Sequence, residues 1–324
     1  MRDVVLSGSY YEIGESYGRI LKETGFKPPT KSSHERMLGT KSREIVESRF
    51  PEIMDEIRGI SDGAELDFES LSDFILIHPF MMKAPGCTSF AVNQDGSTWV
   101  GRNYDMYYWL KKDLEIHYTA PKGGYRSLGQ TDIMVGREDG MNEKGLFAAL
   151  HGIPSGFVPG VHFWISVRYI LDMCRTVEEA VEFLEETQPH CGYQVLLADP
   201  SGTMAVVEVH PERTRVRWPD ENYIVTTNHL NHPEMREYTL MEPPDSWPRY
   251  NRCIETLSRM DAVDEQSIQS ILRDHEGLVC SHLDEFGVGT LYSTVTNLDT
   301  RRVWRSVGHP CTNPYVTDNR LMTA

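Results

Sequence analysis

Cys87 stands in the stretch KAPGCTSFAV (83–92), between a Pro-Gly turn and a run that reads as a buried strand. Its thiol has two readings. One is a small buried apolar group, the ordinary fate of a free cysteine. The other is a nucleophile at the start of a strand, able to attack a carbonyl carbon once ionised. Arg102 and Asp105 follow in GRNYDM. If the strand turns at Gln94-Asp95-Gly96, its return brings residues 102–105 back beside Cys87. A guanidinium there favours a thiolate, and an aspartate can orient a cationic group. The plain alternative is an ion pair between Arg102 and Asp105 at a strand end.

None of the 12 histidines stands in a recognisable papain-like context, so a catalytic Cys87 needs another base. An α-amino group titrates at about 7.7–8.0, near the pH where a general base works best. A cysteine at the N-terminus of a processed chain carries such a base itself. A competing reading is a metal-dependent hydrolase using His229 and His232 of NHLNH, with Glu234 close behind. That segment does not read as a helix, so the spacing does not put both imidazoles on one face, and zinc needs further ligands. The six cysteines (87, 174, 191, 253, 280 and 311) are dispersed without a CxxC pair. That dispersal fits neither a zinc site nor a compact disulfide framework, so no metal or cofactor is expected.

The elements that must position these groups change character at Cys87. Before it the chain reads helical, over SYYEIGESYGRILKET, the long stretch 33–64 in which Pro51 opens or kinks a helix, and DFESLSDFILI with Asp67 or Ser70 as N-cap. Gly14 and Gly18 suit close helix packing. After it the period becomes two. Hairpins are expected over SFAVNQDGSTWVGRNYD, GMNEKGLFAALHG, YQVLLADPSGTMAVVEVHP and TVTNLDTRRVWRSVG. Helix pairs VHFWISVRYILDMC with TVEEAVEFLEETQ, and SWPRYNRCIETLSRM with DEQSIQSILRDH, interrupt them. Grouped helices and mainly antiparallel strands define an α+β class: two stacked sheets between helical layers.

A net charge of −16 over 324 residues argues against nucleic acid and against an anionic membrane surface. The N-terminus lacks an apolar core of signal-peptide length, and no run approaches the roughly 18 residues of a membrane span. A cytoplasmic location is expected. The length allows one large domain or two ordinary ones.

GCTSFAV…GRNYDM, GMNEKGL, VTTNH and TLYSTVTNLD, in this order and spacing, resemble the N-terminal-nucleophile (Ntn) hydrolases with a cysteine nucleophile. The nearest group is the isopenicillin-N acyltransferases, peptidase family C45, related to the choloylglycine hydrolases. GSYYEIGESYGRIL resembles the prosegment signature of that group, and the resemblance spans roughly residues 6–307. It implies a four-layer αββα sandwich. It also implies a self-made cut between Gly86 and Cys87, giving a helical prosegment (1–86) and a catalytic chain (87–324) that stay in one fold. Gly86 would let the thiol approach and tolerate strained torsions, and Pro85 would stiffen the approach.

The roles implied by the resemblance follow. Cys87 is the nucleophile and its freed α-amine the base. Asp105 orients that amine, and Arg102 lies near the thiol. Asn228 supplies a side-chain donor to the oxyanion hole. His151 falls where the related hydrolases offer a backbone N–H, in FAALHGIP rather than their AGLN-like context. Arg249 of SWPRYNRC, aligned better than Arg252, supports the site electrostatically. Tyr104, Tyr107, Tyr108 and Trp109 suit either an apolar acyl pocket or a core patch. The implied substrate is a small N-acyl compound, with acyl-CoA possible as co-substrate. The net charge of −16 does not favour its phosphates, which tilts the expectation towards amide hydrolysis.

Overall fold

The computed structural model describes residues 1–77 and 86–322. The chain opens with β1 (Arg2–Gly8), α1 (Tyr10–Glu23), α2 (Ser33–Arg49), α3 (Pro51–Ala64) and α4 (Phe68–Leu76). Then come β2 (Cys87–Gln94), β3 (Ser97–Tyr107), β4 (Glu115–Pro121), β5 (Ser127–Thr131), β6 (Asp139–Asn142) and β7 (Phe147–Gly152). α5 (Phe163–Met173) and α6 (Val177–Glu186) lead to β8 (Tyr193–Ala198), β9 (Met204–His210), β10 (Arg213–Arg217) and β11 (Tyr223–Thr226). α7 (Ser246–Leu257) and α8 (Glu265–Leu272) precede β12 (His282–Leu283), β13 (Val288–Asn297), β14 (Arg302–Val307) and β15 (Val316–Asp318).

Local chemistry explains the helical start. Ser9 with Glu12, and Ser32 with Glu35, form reciprocal capping boxes on α1 and α2. Pro51 opens α3, where its missing N–H costs nothing, and Asp67 rather than Ser70 caps α4. α1 and α3 cross with their backbones almost touching. A Cβ on Gly14 would overlap the Glu56 carbonyl, and one on Gly59 the Tyr11 carbonyl. The expected packing role of Gly14 and Gly18 is therefore met, with Gly59 and Gly63 opposite them.

All four expected hairpins form, as β2–β3, β6–β7, β8–β9 and β13–β14. At the first turn Asp95 (φ 53°) and Gly96 (φ 77°) are both left-handed, the torsions a two-residue hairpin loop demands. One sheet runs β1-β4-β5-β6-β7-β8-β9-β10; the other runs β11-β2-β3-β13-β14-β15, with β12 on β13. Among the named strands every ladder is antiparallel except β1–β4. The first part of the chain is thus not all helical: β1 leaves it to join the sheet of the second part.

Alternation along the strands builds four layers. Val195, Leu197 and Val207 pack with α1, α3, α5 and α6 on one outer face. Ala91, Val100, Leu196 and Val206 meet between the sheets. Phe90, Val92 and Val295 pack with Cys253, Leu257 and Ile268 of α7 and α8 on the other face. No helix among the described residues is long and apolar enough to cross a membrane.

Candidate active site

Cys87 is the first residue of β2, opposite Tyr104 of β3. Only 6% of it is exposed, and its apolar neighbours include Met106, Leu114, Leu291 and Tyr292. Every polar atom of Cys87 is engaged. Its N–H donates to Asn228 Oδ1 at 2.6 Å. Its carbonyl accepts from Arg249 Nη1 at 2.5 Å, and Arg102 Nη2 lies 3.8 Å from Sγ. The preceding carbonyl, of Gly86, accepts the Asp105 N–H at 3.0 Å. The return of β3 does bring residues 102–105 beside Cys87, as the turn spacing predicts. Pro85 lies outside the described residues.

Arg102 and Asp105 do not pair with each other. Arg102 pairs through Nε with Asp139, and its Nη1 donates to the Leu150 carbonyl at 2.8 Å and Ser89 Oγ at 3.3 Å. Asp139 also accepts the Tyr292 hydroxyl at 2.8 Å. Asp105 Oδ1 accepts from Thr290 Oγ1 at 2.6 Å, while buried Oδ2 has no hydrogen-bond partner. A register shift between Thr290 and Tyr292 puts these residues opposite Asp105 and Tyr104. Thr290 and Tyr292 were not singled out from sequence, because a bulge leaves no mark in a period-two pattern.

Burial sets the electrostatics. It pushes the Cys87 thiol up to about 12, with Arg102 opposing and Asp105 adding to the rise. The thiol is therefore neutral in the intact chain. Burial also lifts the Asp105 carboxyl to about 7, against the pull of Arg249 and the Thr290 hydrogen bond. His151 is fully buried in β7 opposite Gln194, with no well-formed hydrogen bond at either ring nitrogen. Burial, then Arg102 and Arg249, hold it well below the usual imidazole range, so it is neutral.

Asn228 follows β11, its N–H on Ser246 Oγ at 2.9 Å. Its Nδ2 donates to the Gly152 carbonyl at 3.2 Å, so in the intact chain this donor is occupied. Arg249 is fully buried on α7 and anchored by Asp245, Nε to Oδ2 at 3.0 Å. It reaches Thr88 Oγ1 at 3.1 Å and Asn228 Oδ1 at 3.3 Å as well as the Cys87 carbonyl. Arg252 turns away to Asp274 and Glu276. Tyr104 stacks on Tyr292 beside the thiol, whereas Tyr108 bonds Asp284 and Trp109 is 57% exposed.

A Cβ on Gly86 would overlap the Arg249 guanidinium. His229 Nδ1 lies 2.8 Å from Ser246 Oγ, and His232 Nδ1 accepts the Glu234 N–H. Neither belongs to a group of three or more ligand side chains among the described residues.

Two mainly antiparallel sheets between helical layers are the Ntn-hydrolase fold. Two solved structures share it. Variants of conjugated bile acid hydrolase from Clostridium perfringens superpose with TM-scores of 0.54 and 0.52, at 17% and 18% identity, each over 72% of this chain and 96% of theirs. Residues 92–312 match the acyl-coenzyme A:6-aminopenicillanic acid acyl-transferase family, and the chain belongs to that family. It is 24% identical over 294 residues to the 40 kDa form of acyl-coenzyme A:6-aminopenicillanic-acid-acyltransferase from Emericella nidulans, covering 82% of this chain and 80% of that protein.

Proposed function

We propose that the chain cuts its own Gly86–Cys87 bond and then acts as an N-terminal-cysteine amidohydrolase or acyltransferase on a small N-acyl amide. The observation that carries this reading is the grip on Cys87. Its N–H, carbonyl and thiol are each addressed by a buried polar side chain, from Asn228, Arg249 and Arg102. A merely structural cysteine has no use for three such partners.

In maturation Sγ attacks the Gly86 carbonyl carbon. The C–S bond forms, the C–N bond breaks, and the thiol proton ends on the released amine. Water then hydrolyses the thioester, freeing the thiol and leaving a carboxylate on Gly86. The new α-amine, titrating at about 7.7–8.0, takes the thiol proton that burial otherwise holds in place. Asp105 Oδ2, unpartnered in the intact chain, is the acceptor that steadies this amine. The thiolate attacks the substrate amide, and the amine returns the proton to the leaving nitrogen. The Asn228 amide stabilises the oxyanion once it has turned from Gly152. The thioester then passes its acyl group to water or to an amine. The apolar cluster of Met106, Leu114 and Leu291 suits an apolar acyl group.

N-terminal sequencing and intact mass of the purified protein test this. Fragments 1–86 and 87–324 are expected, with the larger beginning at Cys87. An uncut wild-type chain that turns over N-acyl amides would sink the reading. A panel of N-acyl amines, with and without acyl-CoA and an acceptor amine, separates hydrolysis from transfer.

A further inference from the structure

A second group of chemistry-bearing side chains lies beside the site and has no part in the reaction proposed above. His275, Cys280, His282 and Cys311 each turn one ligand atom inward, and these four atoms all lie within 4.8 Å of one another. We propose that they form a Cys2His2 site for a tetrahedral divalent cation, Zn2+ above all.

The distances fit. Tetrahedral zinc, with Zn–S about 2.3 Å and Zn–N about 2.0–2.1 Å, sets its sulfur and nitrogen ligands about 3.5 Å apart. His282 Nε2 lies 3.4 Å from Cys280 Sγ and 3.2 Å from Cys311 Sγ. Hydrogen bonding accounts poorly for this convergence. One imidazole nitrogen carries either one proton or one lone pair, and so serves one sulfur well, not two. A cation between them satisfies both. Two thiolates and two imidazoles are also the donor set zinc prefers. Each thiol would release its proton to solvent on binding, and each imidazole would bind neutral.

The surroundings hold the ligands in place. The Cys280 N–H bonds the Asp274 carbonyl at 2.8 Å, and Arg252 clamps the Asp274 carboxylate. The loop between them carries Leu278 at φ 62°, a left-handed torsion that costs a branched residue energy. The His309 ring stacks on His282 with centroids 3.9 Å apart, fixing its plane. Cys311 sits in a turn closed by Thr312 and Asn313 N–H groups on the His309 carbonyl, and Arg273 ties that turn to α8 through the Pro310 carbonyl. His275 and His282 are exposed, and the group borders a cavity of about 300 Å³ through which an ion can enter. The dispersed cysteine spacing concealed this: Cys280 and Cys311 meet only because β13 and β14 fold the chain back.

The site would pin the end of β13 that serves the catalytic centre. Ser281, between two ligands, accepts the Thr290 N–H at its carbonyl and donates its own N–H to Thr290 Oγ1, the hydroxyl that in turn donates to Asp105. The inference stands on its own donor set, whether or not Gly86–Cys87 is cut.

Titration of the full, reduced, metal-stripped chain with Co2+ and Zn2+ tests it. One equivalent of Co2+ should give tetrahedral visible bands and a thiolate charge-transfer band, displaced by Zn2+, and Zn2+ should raise the melting temperature. Cys280→Ser with Cys311→Ser should remove the charge-transfer band and weaken Zn2+ binding by at least about 100-fold. Cys174→Ala, elsewhere in the core, should leave both intact. A wild-type titration with no thiolate band at one equivalent would overturn the proposal without recourse to any variant. So would a Cys280–Cys311 disulfide found by mass in the protein as isolated.

Discussion

The guanidinium of Arg249 occupies the space that a Cβ on residue 86 would need, with Nη2 2.5 Å from that point. The same group holds the Cys87 carbonyl and the Asn228 side-chain oxygen. A side chain at residue 86 would therefore need Arg249 to move. Gly86→Ala should push Arg249 off both oxygens and slow the cut, seen as persistence of the uncut chain on a denaturing gel over time. Cutting at the wild-type rate would show that Arg249 is not needed for it.

Cys87→Ala should abolish both the cut and all acyl transfer, because no other group offers the nucleophile. The check is intact mass together with an N-acyl amide assay. Full activity in the variant would remove Cys87 from the chemistry.

Asn228→Ala should lower kcat by about 10²–10³, the usual cost of losing one oxyanion donor, with a smaller change in KM. Steady-state kinetics on protein already cut decides it. A loss confined to KM would mean that Asn228 only binds substrate.

The Asp105 carboxyl, lifted from 3.8 to about 7 by burial, makes stability depend on pH. Its folded form holds a proton more tightly than its unfolded form, so its contribution favours folding below about 4 and declines as pH rises towards 7. In a Cys87→Ala background, adding Asp105→Asn should flatten that decline. Urea unfolding at pH 4, 5.5 and 7 reads the difference. Parallel pH profiles with and without Asp105 would contradict the raised value.

Arg168 is fully buried on α5, paired at 2.9 Å with Glu56 of α3 and at 2.8 Å with Asp172. Arg168→Ala leaves buried Glu56 without its ion-pair partner and Asp172 with only the Tyr10 hydroxyl, and should cost about 3–5 kcal/mol. Denaturant unfolding of the uncut Cys87→Ala chain measures it. A change below about 1 kcal/mol would mean that water reaches the pair.

Much of this was legible in sequence. Asp95-Gly96 and the alternating runs around it carried the hairpins, and with them the meeting of Cys87, Arg102 and Asp105. Asp67, one of the two cap candidates, marked the start of α4, since such a signal acts over three residues. What escaped depended on distant chain. β1 buries only Val4 and Leu6, and its partner β4 starts at Glu115, so nothing local announced a strand. Asp139, the partner of Arg102, is a charge inside a hairpin and reads as a surface residue until both sheets close over it. Cys280 and Cys311 look unrelated until β13 and β14 are paired.

The β1–β4 ladder gives the proposed cut a thermodynamic consequence. Before cutting, the strand that borders one sheet is tethered to its partner, and folding is a first-order process at any dilution. Afterwards the unfolded state is two separate molecules, and recovering the ladder becomes a second-order encounter whose yield falls with concentration. The same break that frees the amine would turn a reversible fold into one that, once lost in dilute solution, is not regained.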